Sequence, residues 1–184
     1  MRLITVFGSS RLEQKDPRYH EARAWGRSIA GAGFAVATGG YNGAMEAVSL
    51  GAKEAGGLVV GVTAPQLFSR RDGPNIHVDL ELPAPSLLTR IERMIDLSAA
   101  CLALPGGLGT LTEIMAAWNL MHLARMHGNP PKPLGVHASW MAVIRPGLEI
   151  EPAQLELITP IGSEEGLEAF LRAISNGTTG TQAK

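Results

Sequence analysis

Cysteine is nearly absent from this sequence, and what little there is lies in an apolar run: Cys101 is the only one. No internal disulfide can form, so the expected setting is cytoplasmic and the residue reads as a small buried hydrophobe. Aromatic residues make up 5%, no basic run occurs and the net charge is −1. A dedicated nucleic-acid binder needs the opposite balance, so no nucleic-acid partner is expected. No apolar stretch is long enough to span a bilayer, so no membrane partner is expected either. The opening residues Met-Arg-Leu-Ile-Thr-Val-Phe go straight into a strand and lack the length of a signal peptide. His122 and His127 are five apart, which does not put them on one helix face, and no acidic or cysteine partner completes a metal set. His20, His77 and His137 are isolated and read as structural or surface residues. No metal and no cofactor are therefore expected. The sequence has no G-x-x-x-x-G-K-[ST] loop and no G-x-G-x-x-G fingerprint, which disfavours a nucleoside triphosphate or a dinucleotide. Ser9 follows a strand, but without the G-x-S-x-G elbow of a triad hydrolase. The lysines are Lys15, Lys53, Lys132 and Lys184, none placed after a strand as a Schiff-base lysine would be.

What is present is an ordinary apolar content of 45% over 184 residues, enough for one domain with a substantial core. That domain is expected over 1–175, with a Gly/Thr-rich, disordered tail over 176–184. Strands are predicted at 3–7, 34–37, 58–62, 76–80, 100–104 and 134–137. A short extended segment is expected at 157–160. Helices are predicted at about 18–32, 43–55, 86–98, 110–125, 140–148 and 163–175. Residues 64–75 read as a polar surface loop. Alternation of strand and helix at this spacing means an α/β fold, most simply a doubly wound parallel sheet. Ligands of such sheets bind at the carboxyl ends of the strands.

Two strand–glycine turn–helix junctions fall at that edge, Thr38-Gly-Gly-Tyr-Asn-Gly-Ala-Met45 and Leu102-Ala-Leu-Pro-Gly-Gly-Leu-Gly-Thr-Leu-Thr-Glu113. In the second, Pro105 ends the strand ladder because it has no N–H to give. Gly106, Gly107 and Gly109 let a ligand approach the backbone, and Thr110 is expected to open a helix whose free N–H groups suit a phosphate. Two such turns can enclose one monophosphate and its sugar. Glu113 is out of place beside a phosphate unless it acts on another part of the ligand. Its alternative role is a capping box, in which Glu113 reaches back to the Thr110 N–H. Arg90 falls on the flank of the apolar arc of its helix. It is either snorkelling, the commoner arrangement, or turned into a cleft to meet an anion. Ser9 can donate to a phosphate or sugar.

These residues resemble the LONELY GUY family of cytokinin-activating phosphoribohydrolases, long labelled "possible lysine decarboxylase". Gly39-Gly-Tyr-Asn-Gly43-Ala-Met45 is similar to its G-G-x-x-G-x-M turn, and Gly40 is the second glycine of that turn. Pro105-Gly-Gly-Leu-Gly-Thr-Leu-Thr-Glu113 matches P-G-G-x-G-T-x-x-E at every fixed position. Arg90 stands at the family's arginine, and Gly8-Ser9-Ser10 resembles its first turn. The resemblance runs from about residue 3 to 137. It implies a Rossmann-like fold, a homodimer or larger assembly, and hydrolysis of the N-glycosidic bond of N6-modified AMP to free base and ribose 5-phosphate. It also implies Arg90 and Glu113 as the catalytic pair, with a nucleoside monophosphate as the small-molecule partner. Three positions depart from the family pattern: Ile91 replaces a lysine, Thr112 a glutamate and Glu46 a glycine. Related proteins of the same fold bind molybdenum cofactor without hydrolysing it. That leaves a nucleotide-like ligand carrier as the rival reading, and a decarboxylase as the reading of the old label.

On the family reading, the 106–110 turn holds the 5′-phosphate, and Glu113, near a helix N-terminus, stays ionised to stabilise an oxocarbenium-like ribose and orient water. Arg90 fixes Glu113 or the phosphate, or assists the leaving base. The 110–125 helix is apolar nearly all round, so covering it on every side calls for a second copy.

Overall fold

The computed structural model describes residues 1–68, 73–144 and 148–177. The expected tail lies outside them from position 178 onward, as do parts of the 64–75 loop and of the helix expected over 140–148.

Among the described residues seven strands form one parallel sheet. In chain order they are β1 (Leu3–Phe7), β2 (Ala35–Thr38), β3 (Val59–Gly61), β4 (Leu80–Glu81), β5 (Ala100–Ala103), β6 (Leu134–His137) and β7 (Ile158–Ile161). Their spatial order is β4-β3-β2-β1-β5-β6-β7. The chain therefore winds outward from β1 in one direction, returns, and winds outward from β5 in the other. β1 and β5 lie side by side in parallel register, Thr5 opposite Cys101 and Phe7 opposite Ala103. The crevice beyond their carboxyl ends is the switch point at which such sheets bind ligands. This is the doubly wound, Rossmann-like α/β sheet expected from the sequence.

The inner strands β1, β2, β3, β5 and β6 are short and buried on both faces, so they read as apolar runs rather than alternations, whereas the edge strands β4 and β7 are partly exposed. Alternate residues of β5 divide between two cores. Ala100 and Leu102 pack with α1 (Pro17–Gly31), α2 (Ala44–Glu54) and α7 (Glu164–Ser175). Cys101 and Ala103 pack with α3 (Leu87–Asp96), α4 (Leu108–Met126) and α5 (Met141–Ile144). Burial pushes the Cys101 thiol up to about 12, so it stays neutral.

Several expected boundaries shift for physical reasons. The fourth strand does not cover 76–80. Asn75 turns the chain by accepting from the His77 N–H, and only Leu80 and Glu81 pair with β3. The segment expected to be merely extended at 157–160 is the edge strand β7, paired with β6. The helix expected over 140–148 begins as a 3₁₀ turn (Ala138–Trp140), capped by His137 Nδ1, and continues as α5. A one-turn helix, α6 (Pro152–Leu155), was not signalled by periodicity.

Helix starts separate into two kinds. Asp16, Ser86 and Ser163 cap α1, α3 and α7 by accepting from main-chain N–H groups. By contrast α2 and α4 start on Gly43 and Gly107, with no side-chain cap. These two helices follow the two glycine turns. No helix among the described residues is long and apolar enough to cross a membrane.

Candidate functional site

Three turns meet at the carboxyl edge. The turn after β1 contains Gly8 and Ser9, the turn after β2 contains Gly39, Gly40 and Gly43, and the turn after β5 contains Pro105, Gly106 and Gly107. The first two are joined: the Ala44 N–H donates to the Ser9 carbonyl at 2.8 Å. Gly8 and Gly43 allow that approach. A Cβ on Gly8 would lie 2.8 Å from the Ala44 Cβ, and one on Gly43 2.5 Å from the Ser9 carbonyl oxygen. The Ser9 hydroxyl accepts from the Arg11 N–H at 3.1 Å.

Arg90 is buried, with 6% of its surface exposed. It is therefore not a snorkelling residue. Its guanidinium reaches across the edge of the sheet, where Nε donates to the Val62 carbonyl at 2.7 Å and Nη2 to the Gly39 carbonyl at 3.0 Å. Nη2 also lies 3.9 Å from the Met45 sulfur. The rings of Tyr41 and Phe68 flank the charge at 5.7 and 5.8 Å. A side chain at Gly39 would collide with Nη2, so this glycine exists to admit the arginine.

Glu113 is buried as well, with 8% exposed. Its Oε1 lies 3.9 Å from Arg90 Nη1, a charge contact too long for a hydrogen bond. Burial pushes its pKa up to about 7, and the Arg90 charge offsets part of that rise. Glu113 is thus not held ionised as its place near a helix N-terminus suggested, because desolvation outweighs a helix end a full turn away. The capping-box reading also fails. α4 starts at Leu108, so Thr110 is inside the first turn and Glu113 is in the second.

The turn after β5 contrasts with the other two. Gly106, Gly107, Leu108 and Gly109 are exposed, and Pro105 is half-buried. A Cβ on Gly106 would meet the buried Thr110 side chain at 2.2 Å, so this glycine serves packing. At Gly107 and Gly109 a Cβ would meet nothing within 4 Å. Gly107 has a φ of −106°, open to any residue. The fold does not require glycine at these two positions, which lie on open space at an uncapped helix end. Chemically, that end suits an anion, and the buried Arg90–Glu113 pair beside it suits a proton transfer.

All thirteen residues anticipated from the sequence thus fall along one edge of the sheet. Arg90, Glu113, Gly39 and Met45 cluster directly. Of the departing positions, Ile91 is buried core, the Thr112 hydroxyl donates to the Leu108 carbonyl, and Glu46 is half-buried in the first turn of α2. The sequence did not single out Val62, Tyr41, Phe68 or Asn75, whose contacts with this cluster are long-range and leave no local pattern. The described lysines are engaged elsewhere. Lys15 pairs with Glu13, Lys53 pairs with Asp79, and Lys132 donates to the Ile95 and Asp96 carbonyls. Among the described residues no group of three or more His, Cys, Asp and Glu side chains is placed to hold a metal ion.

The family described as SLOG cluster4 matches residues 1–126. Two relatives are named cytokinin riboside 5′-monophosphate phosphoribohydrolase. The one from Mycobacterium tuberculosis (strain ATCC 25618 / H37Rv) is 34% identical over 116 residues, 62% of this chain and 59% of the relative. The one from Mycobacterium marinum (strain ATCC BAA-535 / M) is 36% identical over 107 residues, 58% of this chain and 56% of the relative. The matched region thus spans under two thirds of either relative. Among solved structures, the molybdenum cofactor binding protein of Rippkaea orientalis superposes with a TM-score of 0.72 at 25% identity, covering 95% of this chain and 97% of that one.

Proposed function

This chain belongs to the SLOG cluster4 family, and from that premise we propose that it hydrolyses the N-glycosidic bond of a nucleoside 5′-monophosphate to free base and ribose 5-phosphate. The substrate is AMP or an N6-modified AMP such as a cytokinin nucleotide. The protein acts as a single Rossmann-like domain over 1–175, in the cytoplasm, as a homodimer or larger homo-oligomer. The observation that carries the reading is the buried Glu113 carboxylate, 3.9 Å from the Arg90 guanidinium and poised near neutrality. A site that only held an anionic ligand gains nothing from a carboxylate in it. A site that must take a proton from water at neutral pH needs one. The names of the two mycobacterial relatives support the same chemistry.

In this mechanism the 5′-phosphate sits on the open Gly106–Thr110 turn, at the N-terminus of α4. Gly8, Ser9, Gly39, Gly40, Gly43 and Met45 close the nucleotide from the other side, and Pro105 sets the exit of the strand. The bond between ribose C1′ and the base nitrogen breaks, its electron pair leaving with the base. Glu113 faces the oxocarbenium-like C1′ and accepts a proton from the water whose oxygen bonds to C1′, and one proton passes on, directly or through solvent, to the departing base nitrogen, so that free base leaves and the carboxylate is restored. Arg90, held by the Val62 and Gly39 carbonyls, keeps the carboxylate in place and partly ionised.

A second reading has a specific observation behind it. The fold superposes on the molybdenum cofactor binding protein over 97% of that chain, with a TM-score of 0.72. On that reading the cleft binds a phosphorylated, nucleotide-like ligand without turnover. The deciding experiment incubates the protein with AMP, N6-isopentenyl-AMP and adenosine and assays released base. Release from either nucleotide, with adenosine far poorer, is the expected result, because the energy of phosphate binding is used at the reacting centre. Binding of the nucleotides with no base released would favour the carrier.

A further inference from the structure

Asn75 is buried, with 8% exposed, and comes from the segment between β3 and β4. Its main-chain N–H donates to the Gly40 carbonyl at 2.7 Å. Its side-chain amide donates to the Gly40 carbonyl at 3.1 Å and to the Tyr41 carbonyl at 3.0 Å. Its Oδ1 accepts from the His77 N–H at 3.1 Å. A buried amide satisfied on every side fixes what it touches. What it touches is the glycine turn that packages Arg90. Gly40 is held with φ at +78°. The preceding carbonyl, of Gly39, accepts from Arg90 Nη2. The following residue, Tyr41, presents its ring to the same guanidinium while its hydroxyl accepts from the Ala64 N–H at 2.9 Å. The Asn75 amide thus fastens the Gly40 and Tyr41 carbonyls, which lie next to the Gly39 carbonyl and the Tyr41 ring that hold Arg90.

We propose that Asn75 is a positioning residue for the Arg90–Glu113 pair, acting by clamping the Gly40–Tyr41 turn so that the Gly39 carbonyl and the Tyr41 ring hold the guanidinium against the carboxylate. The proposal rests on the phosphoribohydrolase reading for its kinetic consequence, but not for its structural one. Around Glu113, the charged and titratable groups among the described residues are Arg90 from α3 and the neutral Cys101 thiol from β5. A guanidinium that drifts away leaves burial unopposed, and Glu113 then holds its proton to higher pH.

The informative variant is Asn75→Asp. It keeps the oxygen that accepts from His77 and replaces only the NH₂ group, so a carboxylate oxygen faces two carbonyl oxygens. Two measurements are made on the full chain. The first is the pH profile of kcat for base release from AMP. Asn75→Asp should lower kcat about 10–100-fold with KM changed by less than about threefold, the scale of a misplaced positioned group. The acid limb should move up by half a pH unit or more. The second is direct titration of the Glu113 carboxyl carbon by NMR, assigned by its loss in Glu113→Gln. Its midpoint should rise in Asn75→Asp and also in Asn75→Ser, which adds no charge that could raise it by repulsion alone, whether or not the protein turns over AMP. If the wild type releases no base yet the midpoint rises, the functional reading fails and the clamp stands. An unchanged midpoint and acid limb in a folded Asn75→Asp protein would overturn the clamp. Asn75→Ser keeps one hydroxyl donor and carries the same test, with a smaller rise, should the aspartate variant fail to fold.

Discussion

Replacing Glu113 by glutamine keeps the side chain's size and one carbonyl oxygen while removing the ability to ionise. Burial raises the folded-state pKa of Glu113 from 4.5 to about 7. At about 1.4 kcal/mol per unit, keeping the ionised carboxylate in the fold costs about 3 kcal/mol relative to the protonated form. The sign follows from proton binding. Between pH 4.5 and 7 the folded chain holds a proton that the unfolded chain has released. Stability from this group is therefore present below 4.5 and lost as pH rises through 7. Glutamine mimics the protonated form at every pH. The variant should match the wild type near pH 4.5 and exceed it by up to about 3 kcal/mol at pH 8, or roughly 6–12 °C in melting temperature for a chain of this length. The assay is thermal melting of both proteins at half-unit steps from pH 4.5 to 8. On the proposed mechanism kcat should fall by about 10² or more, because the amide cannot take the proton of the attacking water. A residue kept only for the fold cannot show both effects, since its removal would not stabilise. A melting difference that stays flat with pH would refute the raised pKa, and near-normal kcat would refute the catalytic role.

Arg90→Lys should lower stability by about 1–3 kcal/mol in urea titration, because one ammonium cannot serve both the Val62 and Gly39 carbonyls and a buried acceptor is left unpaired. Gly106→Ala should cost about 1–3 kcal/mol, since the new methyl meets Thr110 at 2.2 Å. Gly107→Ala, with nothing within 4 Å, should lower stability by no more than about 1 kcal/mol, the cost of alanine at a helix N-cap, but raise KM for a nucleotide; an unchanged KM would remove the turn from the phosphate site. Light scattering at micromolar concentration should give at least a dimer. Leu123→Glu on the outer face of α4 should shift it towards monomer, because Leu120, Leu123 and Met126 are 47%, 40% and 67% exposed in the single chain.

The sequence revealed most where one segment carries its own signal. The apolar run of β5, the proline that ends it and the glycines before α4 are contiguous, so strand, turn and helix were legible together. The same stretch misled about its helix start. Thr110-x-x-Glu113 has the spacing of a capping box, but α4 begins two residues earlier, at Leu108, which is 81% exposed and so has no burial pattern to mark it. Arg90 was ambiguous for a different reason. Its position on the flank of an apolar arc fits both a snorkelling stem and a buried guanidinium. What decides between them is a pair of carbonyls 28 and 51 residues away in sequence, at Val62 and Gly39. Asn75 was invisible on the same grounds. Its partners lie 34 and 35 residues back, and a lone asparagine after Gly-Pro looks like turn chemistry.

The two glycine turns, alike as sequence, are not alike as surfaces, and this bears on where a ligand can sit. In the turn after β2, Gly39 and Gly40 are buried and their missing side chains are already used: Arg90 fills the space at Gly39, and Thr63 and Gly61 crowd Gly40. In the turn after β5, Gly107 and Gly109 face open space. A phosphate needs main-chain N–H groups that are both uncapped and reachable, and of the two turns the one opening α4 offers them. The turn after β2 instead supplies the carbonyl that holds the arginine. On the proposed reading the turn after β5 holds the phosphate, while the turn after β2 closes on the rest of the nucleotide and aims the arginine, and Glu113 lies where they meet. Substitutions in the two turns should then separate kinetically. Those that crowd the open turn raise KM, and those that loosen the Arg90 seat lower kcat and move its acid limb upward.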